Sequence, residues 1–147
     1  RVRAVLLAGA AAPDLRRLIA QDPLLRDSVC AVERAPHSRL FPRASVVIQQ
    51  CGVGTLAQAL ASGRPLLSVP YAHDQPDNAW RARALGLSRT VYPKQYRSAR
   101  IVSELRTLLD DPRYAAAAAR VAPIVRAERG AAAACDAIER TFNLTPA

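Results

Sequence analysis

The sequence predicts an α/β fold with a Rossmann-like, doubly wound parallel sheet. Short apolar runs rich in β-branched residues alternate with longer segments whose apolar residues recur at helical spacing. This alternation is typical of a parallel sheet with helices on both faces. With 147 residues, 50% of them hydrophobic, the chain can form one core, and residues 1–147 are expected to be a single domain.

Five segments are expected to be strands. The first, residues 2–10, is an apolar run closed by Gly9 and is expected to be a buried strand. The other four cover residues 28–33, 45–49, 65–70 and 88–92.

Helices are expected between these strands and after the last of them. The first follows Pro13, with Asp14 as a plausible N-cap. A single helical turn is expected within residues 35–44, and a longer helix over about 54–62 ends at Gly63, a good C-terminal breaker. The remaining helices are expected over residues 75–86, 98–111, 112–129 and 131–142.

Composition excludes several classes of function. The net charge of +9 raises the prospect of a nucleic-acid partner, but the arginines are spread along the chain without a dense run, so none is expected. No apolar run reaches the roughly 18 residues of a membrane span, and no signal segment opens the sequence. We therefore expect a cytoplasmic protein. The lack of methionine suggests a piece of a longer chain.

The residues that most often bind metals are few. Cys30, Cys51 and Cys135 share no metal-ligand spacing and are expected to be reduced thiols, with Cys30 buried as a small hydrophobe. His37 and His73 lie far apart in the sequence. We therefore expect no metal site.

The turn after the third expected strand, CGVGT, is suited to phosphate. Gly52 and Gly54 would permit positive φ and a close approach of the backbone to a ligand. The helix that follows would offer free N–H groups and the positive end of its dipole, and Thr55 could add a hydroxyl. The alternative is a tight turn that binds nothing.

Two polar residues follow the next strand, at the same edge of the sheet. Asp74 could accept hydrogen bonds from sugar hydroxyls, and Gln75 could both donate and accept. Phosphate donors on one loop and hydroxyl partners on the next describe a nucleotide-sugar site. The alternative is that Asp74 or Gln75 caps a helix.

Residues 50–78, QCGVGTLAQALASGRPLLSVPYAHDQPDN, resemble the donor-binding signature of UDP-glycosyltransferases of the GT-B fold. That group includes plant enzymes, UDP-glucuronosyltransferases and bacterial macrolide glycosyltransferases, and its plant members carry HCGWNSxxExxxxGxPxxxxPxxxDQxxN. The two align without a gap. The plant form is matched at Cys51, Gly52, Gly63, Pro65, Pro70, Asp74, Gln75 and Asn78, and the bacterial G-x-G-T form at Gly54 and Thr55. Flanking stretches extend the resemblance over essentially the whole chain, as the C-terminal half of such an enzyme.

The resemblance implies a role for each site residue. Asp74 and Gln75 would hold the donor sugar. The diphosphate would meet Gln50, Gly52, Val53, Gly54 and Thr55. The nucleoside would meet Arg34, Ala35, His37 and Gln58.

Three of these residues depart from the family pattern. Gln50 stands where the family has a phosphate-binding histidine, Gln58 replaces a ribose-binding glutamate, and Arg34 replaces a base-stacking tryptophan. The loss of a charge-assisted hydrogen bond at Gln50 could cost roughly 1–2 kcal/mol of binding energy. The guanidinium of Arg34 could still stack on a base.

The resemblance implies the donor half of an inverting enzyme that moves a sugar from a UDP- or dTDP-sugar to an acceptor hydroxyl, without a cofactor. The catalytic histidine and the acceptor pocket belong to the family's N-terminal domain, so this chain alone is expected to be inactive. The family's first strand and helix of this half are also expected to be missing, which would leave two sub-sheets. The alternative is a non-catalytic relative or partner subunit that binds nucleotide sugar, to which Gln50 and Gln58 point.

Overall fold

The computed structural model describes residues 3–143. The chain divides into two compact units, Arg1–Arg43 and Ala44–Ala147. Within the described residues, no helix is both long and apolar enough to cross a bilayer.

The first unit is built on a two-stranded parallel sheet. Its strands pair in register from Ala4 opposite Val29 to Leu7 opposite Val32, and Val2, at the start of the expected first strand, lies outside the described residues. In chain order the unit comprises strand β1 (Ala4–Leu7), a 3-10 turn (Gly9–Ala11), helix α1 (Ala12–Gln21), strand β2 (Val29–Val32), helix α2 (His37–Leu40) and a second 3-10 turn (Phe41–Arg43).

The predicted burial of β1 is wrong. Its side chains at Val5, Leu6 and Leu7 are 50%, 39% and 37% exposed. Helix α1 packs on β2. Strand β1 is hydrogen-bonded to β2 along one of its two edges. An apolar run identifies a strand, but it does not say which faces of that strand are covered.

Two side-chain predictions in this unit are also wrong. Cys30 is exposed rather than buried, because it alternates with the buried Ala31 and therefore points to the opposite face of β2. Asp14 does not cap α1. The helix already begins at Ala12, since the fixed φ of Pro13 fits a first turn, and Asp14 instead pairs with Arg17 at 3.1 Å.

The second unit carries a three-stranded parallel sheet in the order β3-β4-β5. The predicted separation of the strands into two sub-sheets is therefore confirmed. Its strands are β3 (Val47–Gln49), β4 (Leu66–Ser68) and β5 (Ser88–Thr90), and its helices are α3 (Val53–Ala61), α4 (Gln75–Ala84), α5 (Ser98–Asp110), α6 (Pro112–Ala127) and α7 (Gly130–Phe142).

Both faces of the central strand β4 are covered. Leu66 and Leu67 are adjacent and so point to opposite faces, and both are fully buried. Leu67 belongs to a core cluster with Val91 and Leu108 of α5. The doubly wound, Rossmann-like arrangement expected from the sequence is confirmed for this sheet.

The helix ends follow the predicted glycines. Gly63 after α3 and Gly86 after α4 have φ of +70° and +76°, a conformation that side-chain-bearing residues rarely adopt. A Cβ at Gly63 would also lie 3.3 Å from the Cβ of Ala122 on α6. Gly63 thus ends α3 and lets α6 pack closely against it.

A buried carboxylate joins β5, α5 and α6. Glu104 of α5 is 2% exposed and accepts a hydrogen bond from Arg89 Nε at one carboxylate oxygen, while Arg100 Nη2 lies 2.7 Å from the other oxygen. Arg89 also donates to the hydroxyl of Tyr114 at 3.0 Å. The hydrogen bond from Arg89 holds the pKa of Glu104 below its ordinary value, with Coulombic attraction from the arginines acting in the same direction against the opposing effect of burial.

This cluster predicts an acid-sensitive contribution to stability. Because the pKa of Glu104 is lowered in the folded chain, its stabilisation is complete above its unfolded pKa and is lost as pH falls through the lower folded value. We expect Glu104→Gln to reduce the free energy of unfolding by about 1–2 kcal/mol at pH 7, because the arginines left without their carboxylate are partly exposed to solvent. The difference from the unsubstituted chain should narrow as pH falls below the pKa that Glu104 has in the unfolded chain.

Urea unfolding at a series of pH values measures this difference. A gap between the two proteins that stays constant from neutral to acidic pH would contradict the assignment. Asp136→Asn, at an exposed position on α7, serves as the control for removing a carboxylate.

Candidate functional site

The candidate site lies where β3 and β4 end, within the unit Ala44–Ala147. Gln49 and Ser68, the last residues of these parallel strands, stand opposite each other, and the next N–H along, that of Val69, donates to the carbonyl of Gln49 at 2.9 Å. The loops leading into α3 and α4 therefore leave the same edge of the sheet.

The first loop turns at Cys51, which has a positive φ of 69°. This conformation costs a residue with a side chain roughly 1–2 kcal/mol. Two side-chain amides hold it there. Gln49 Oε1 accepts the Cys51 N–H at 2.6 Å, and Asn78 Nδ2 donates to the Cys51 carbonyl at 2.9 Å.

The Cys51 side chain is packed beneath the loop in a polar cluster. Its sulfur is fully buried and lies 3.2 Å from Gln49 Nε2. Ser68 bonds to the hydroxyl of Ser88 on β5 at 2.8 Å. Burial raises the pKa of the Cys51 thiol, and hydrogen bonds with Ser68 and Gln49 offset part of that rise. The thiol is therefore a neutral, structural group at pH 7.

The first turn of α3 presents unused backbone donors. Gly52 is the N-cap and makes no side-chain cap, and its carbonyl accepts the N–H of Leu56 at 2.9 Å. The N–H groups of Val53, Gly54 and Thr55 come before that bond and so have no acceptor within the helix. Together with the positive end of the helix dipole, they form a surface suited to an anion.

The expected reason for the glycines is wrong in part. Neither Gly52 nor Gly54 has a positive φ, and the left-handed residue is Cys51. A Cβ at either glycine would meet no atom of the described chain within 4 Å. The space over the turn is open, so the expected close approach of a ligand to these glycines is sterically possible. Gln50 is exposed beside the turn.

The second loop is organised by Gln75. Its Oε1 accepts the N–H groups of Tyr71 at 2.8 Å and Ala72 at 3.3 Å, which leaves its NH2 group available to a ligand as a donor. The capping alternative is wrong, because α4 has no side-chain cap and the side-chain oxygen of Gln75 instead binds two N–H groups of the loop that precedes the helix. Gln75 can donate to a sugar hydroxyl, but its oxygen is already committed.

Asp74 is exposed at the N-cap position of α4 and makes no side-chain cap. Its Oδ2 accepts Asn78 Nδ2 at 2.7 Å, so Oδ1 is the oxygen that this bond leaves open. Sequence reasoning matched Asn78 to the family pattern without giving it a role. The sequence feature that could have indicated the contact is the spacing of four residues between Asp74 and Asn78, which places the two on the same side of α4.

The residues expected to meet a nucleoside lie in both units. Arg34, which is exposed, and Ala35, which is half-buried, follow β2 in the first unit. His37 stacks its ring on Phe41, with centroids 4.5 Å apart and planes inclined by 11°. Gln58 is exposed on α3 in the second unit.

A cavity of about 420 Å³ lies elsewhere in the second unit. Its lining includes Arg83, Arg89, Arg100 and Arg113 together with Glu104, and it contains none of the predicted site residues. Within residues 3–143, no group of three or more histidine, cysteine or acidic side chains is placed to hold a metal ion.

Comparison with known proteins points to one group of enzymes. Residues 13–137 match the family model described as "Erythromycin biosynthesis protein CIII-like, C-terminal domain". The chain is 37% identical over 122 residues to O-mycaminosyltylonolide 6-deoxyallosyltransferase from Streptomyces fradiae, covering 78% of this chain and 29% of that protein. The chain spans less than a third of the length of the first curated relatives it matches.

Solved structures share the fold. The glycotransferase of kitacinnamycin aligns with a TM-score of 0.72 at 22% identity, over 94% of this chain and 43% of that one. Glycosyltransferase VinC, crystallised with dTDP, aligns with a TM-score of 0.70 at 24% identity, over 86% of this chain and 38% of that one. These likenesses confirm the predicted GT-B type of fold.

The buried environment of Cys51 predicts unequal thiol reactivity. Cys30 and Cys135 are exposed and Cys51 is buried, and a raised pKa leaves Cys51 with less of the reactive thiolate. At pH 8 we expect the two exposed thiols to react quickly with Ellman's reagent and Cys51 only when the chain is unfolded. Peptide mass spectrometry after brief alkylation would assign the sites. Rapid labelling of Cys51 in the folded chain would contradict the described loop.

Proposed function

Because the chain belongs to the family described as erythromycin biosynthesis protein CIII-like, C-terminal domain, we propose that residues 1–147 are the donor-binding domain of an inverting glycosyltransferase. The intact enzyme moves a sugar from a UDP- or dTDP-sugar to an acceptor hydroxyl. The observation that carries the proposal is the open first turn of α3. Asn78 joins the loop that leads into this turn, at the carbonyl of Cys51, to the carboxylate of Asp74.

The diphosphate binds at this turn. The N–H groups of Val53, Gly54 and Thr55 donate to its oxygens, and the bare backbone at Gly52 and Gly54 admits them closely. The Thr55 hydroxyl and the Gln50 amide add neutral donors. Glycosyltransferase VinC, which shares this fold and was crystallised with dTDP, supports a nucleoside diphosphate as the ligand.

The sugar binds at the second loop. Asp74 Oδ1 accepts a hydrogen bond from one hydroxyl, and the Gln75 NH2 group donates to the oxygen of a neighbouring one. The matched relative named as a 6-deoxyallosyltransferase supports a hexose-type sugar. The nucleoside is assigned to Arg34, Ala35, His37 and Gln58 on the sequence resemblance.

The chemical step is the one that the resemblance to inverting glycosyltransferases implies. A histidine in an N-terminal acceptor domain takes the proton of the acceptor hydroxyl, whose oxygen bonds to the anomeric carbon from the face opposite the diphosphate. The bond from that carbon to the diphosphate oxygen breaks, and the nucleoside diphosphate leaves. The first turn of α3 stabilises the charge that grows on the leaving group, an electrostatic contribution. The reaction takes no cofactor.

A second candidate is a non-catalytic relative or partner subunit that binds nucleotide sugar. The observation that favours it is the pair of neutral amides, Gln50 and Gln58, both exposed, at positions where the resembling enzymes carry ionisable side chains. This alternative keeps the donor site and differs in affinity and in the absence of turnover.

Calorimetric titration with dTDP, UDP and dTDP-glucose tests the donor site. Gly54→Trp should abolish binding of all three, because the indole would fill the space over the first turn of α3. Asp74→Ala should weaken dTDP-glucose about tenfold, the effect of losing roughly 1.4 kcal/mol, and leave dTDP within about twofold.

The matched control for the tryptophan is Gly130→Trp at the start of α7, a glycine that also faces open space. Unchanged dTDP binding by Gly54→Trp would refute the diphosphate assignment. A folded chain with no measurable binding of any of the three ligands would refute the donor site itself.

Gln50→His tests the most consequential departure from the family pattern. A protonated imidazole at position 50 would add a charge-assisted hydrogen bond to the diphosphate, which a neutral glutamine cannot supply. We expect this variant to bind dTDP about tenfold more tightly at pH 6 than the unsubstituted chain and to lose most of the gain by pH 8. Equal affinities of the two proteins at pH 6 would place position 50 away from the phosphates.

A further inference from the structure

We propose that Asn78 is a positioning residue that fixes the diphosphate-binding turn and the sugar-binding carboxylate relative to each other. The inference rests on the proposed function and extends it to a residue that meets no ligand itself. The proposal implies that loss of Asn78 lowers the affinity for the intact nucleotide sugar more than the affinity for the free nucleotide.

The geometry uses both hydrogens of one amide nitrogen. Asn78 Nδ2 lies 2.9 Å from the carbonyl oxygen of Cys51 and 2.7 Å from Oδ2 of Asp74. The backbone N–H of Asn78 also donates to the carbonyl of Asp74 at 3.0 Å. With both donors taken, Nδ2 has none left for a ligand, so Asn78 acts through Cys51 and Asp74.

The contact suits asparagine at this position. It requires two donors on one atom facing two acceptors, one of which is a carboxylate. An aspartate there would set an acceptor against the carbonyl of Cys51 and a like charge against Asp74. A serine hydroxyl would supply one donor instead of two.

The consequence falls mainly on Asp74. This side chain is exposed, and without the bond to Asn78 its carboxylate would rotate and would have to be ordered when the sugar binds. Holding Oδ2 in advance removes part of that cost and leaves Oδ1 to accept from the sugar. The diphosphate turn depends less on Asn78, because Gln49 independently holds the N–H of Cys51 at 2.6 Å.

Calorimetry of Asn78→Ala with dTDP and with dTDP-glucose tests the proposal. We expect dTDP affinity to fall by no more than about threefold and dTDP-glucose affinity by at least about tenfold. Asp77→Ala is the matched control, since Asp77 is the preceding residue of α4 and its carboxylate pairs with Arg81 on the same helix. It should change neither affinity.

Each outcome decides the matter. Equal weakening of both ligands, or no weakening of dTDP-glucose, would overturn the positioning role while leaving the proposed function intact. An unsubstituted chain that binds neither ligand would overturn both the positioning role and the proposed function.

Circular dichroism and thermal unfolding establish that each variant is folded. Should Asn78→Ala not fold, the affinities for dTDP and dTDP-glucose are measured on Asn78→Ser, which retains one donor. Equal weakening of both ligands, or no weakening of dTDP-glucose, would again overturn the positioning role.

Discussion

The candidate site depends on how the peptide of Cys51 is held. This residue stands in a left-handed conformation that is unfavourable for any side chain but glycine. Its N–H is taken by Gln49 from β3 and its carbonyl by Asn78 from α4, while its sulfur is buried against the sheet. Contacts from β3, from α4 and from the buried interior thus fix one backbone turn. The direction of α3, and with it the position of the open N–H groups, follows from that turn.

Backbone and side chains have different tasks in this arrangement. The groups that face the open surface at the first loop are backbone donors of α3, whereas Gln49 and Asn78 use their amides to hold the loop. The second loop repeats this division, because the oxygen of Gln75 binds two backbone N–H groups and its nitrogen stays available. A site built this way is ordered before its ligand arrives, which reduces the entropic cost of binding.

Sequence reasoning located the elements and the loops, because those depend on local patterns. Gly63 and Gly86 marked helix ends, and the pattern around Gly52, Gly54 and Asp74 marked the edge of the sheet that carries the site. It could not assign the partner of Asn78 in the first loop, since that bond joins Asn78 to Cys51, 27 positions away. It also misjudged Cys30 and β1, because an apolar pattern does not reveal which face of a strand another element covers.

The central claim is that the first turn of α3 binds a diphosphate, and residue-resolved NMR tests it most directly. A ¹⁵N-labelled chain titrated with dTDP should show saturable shifts of the amide resonances of Val53, Gly54 and Thr55. The resonances around the arginine-lined cavity at Arg83 and Arg100 should stay in place. Shifts confined to that cavity, or no shifts at the first turn of α3 at saturating dTDP, would contradict the account.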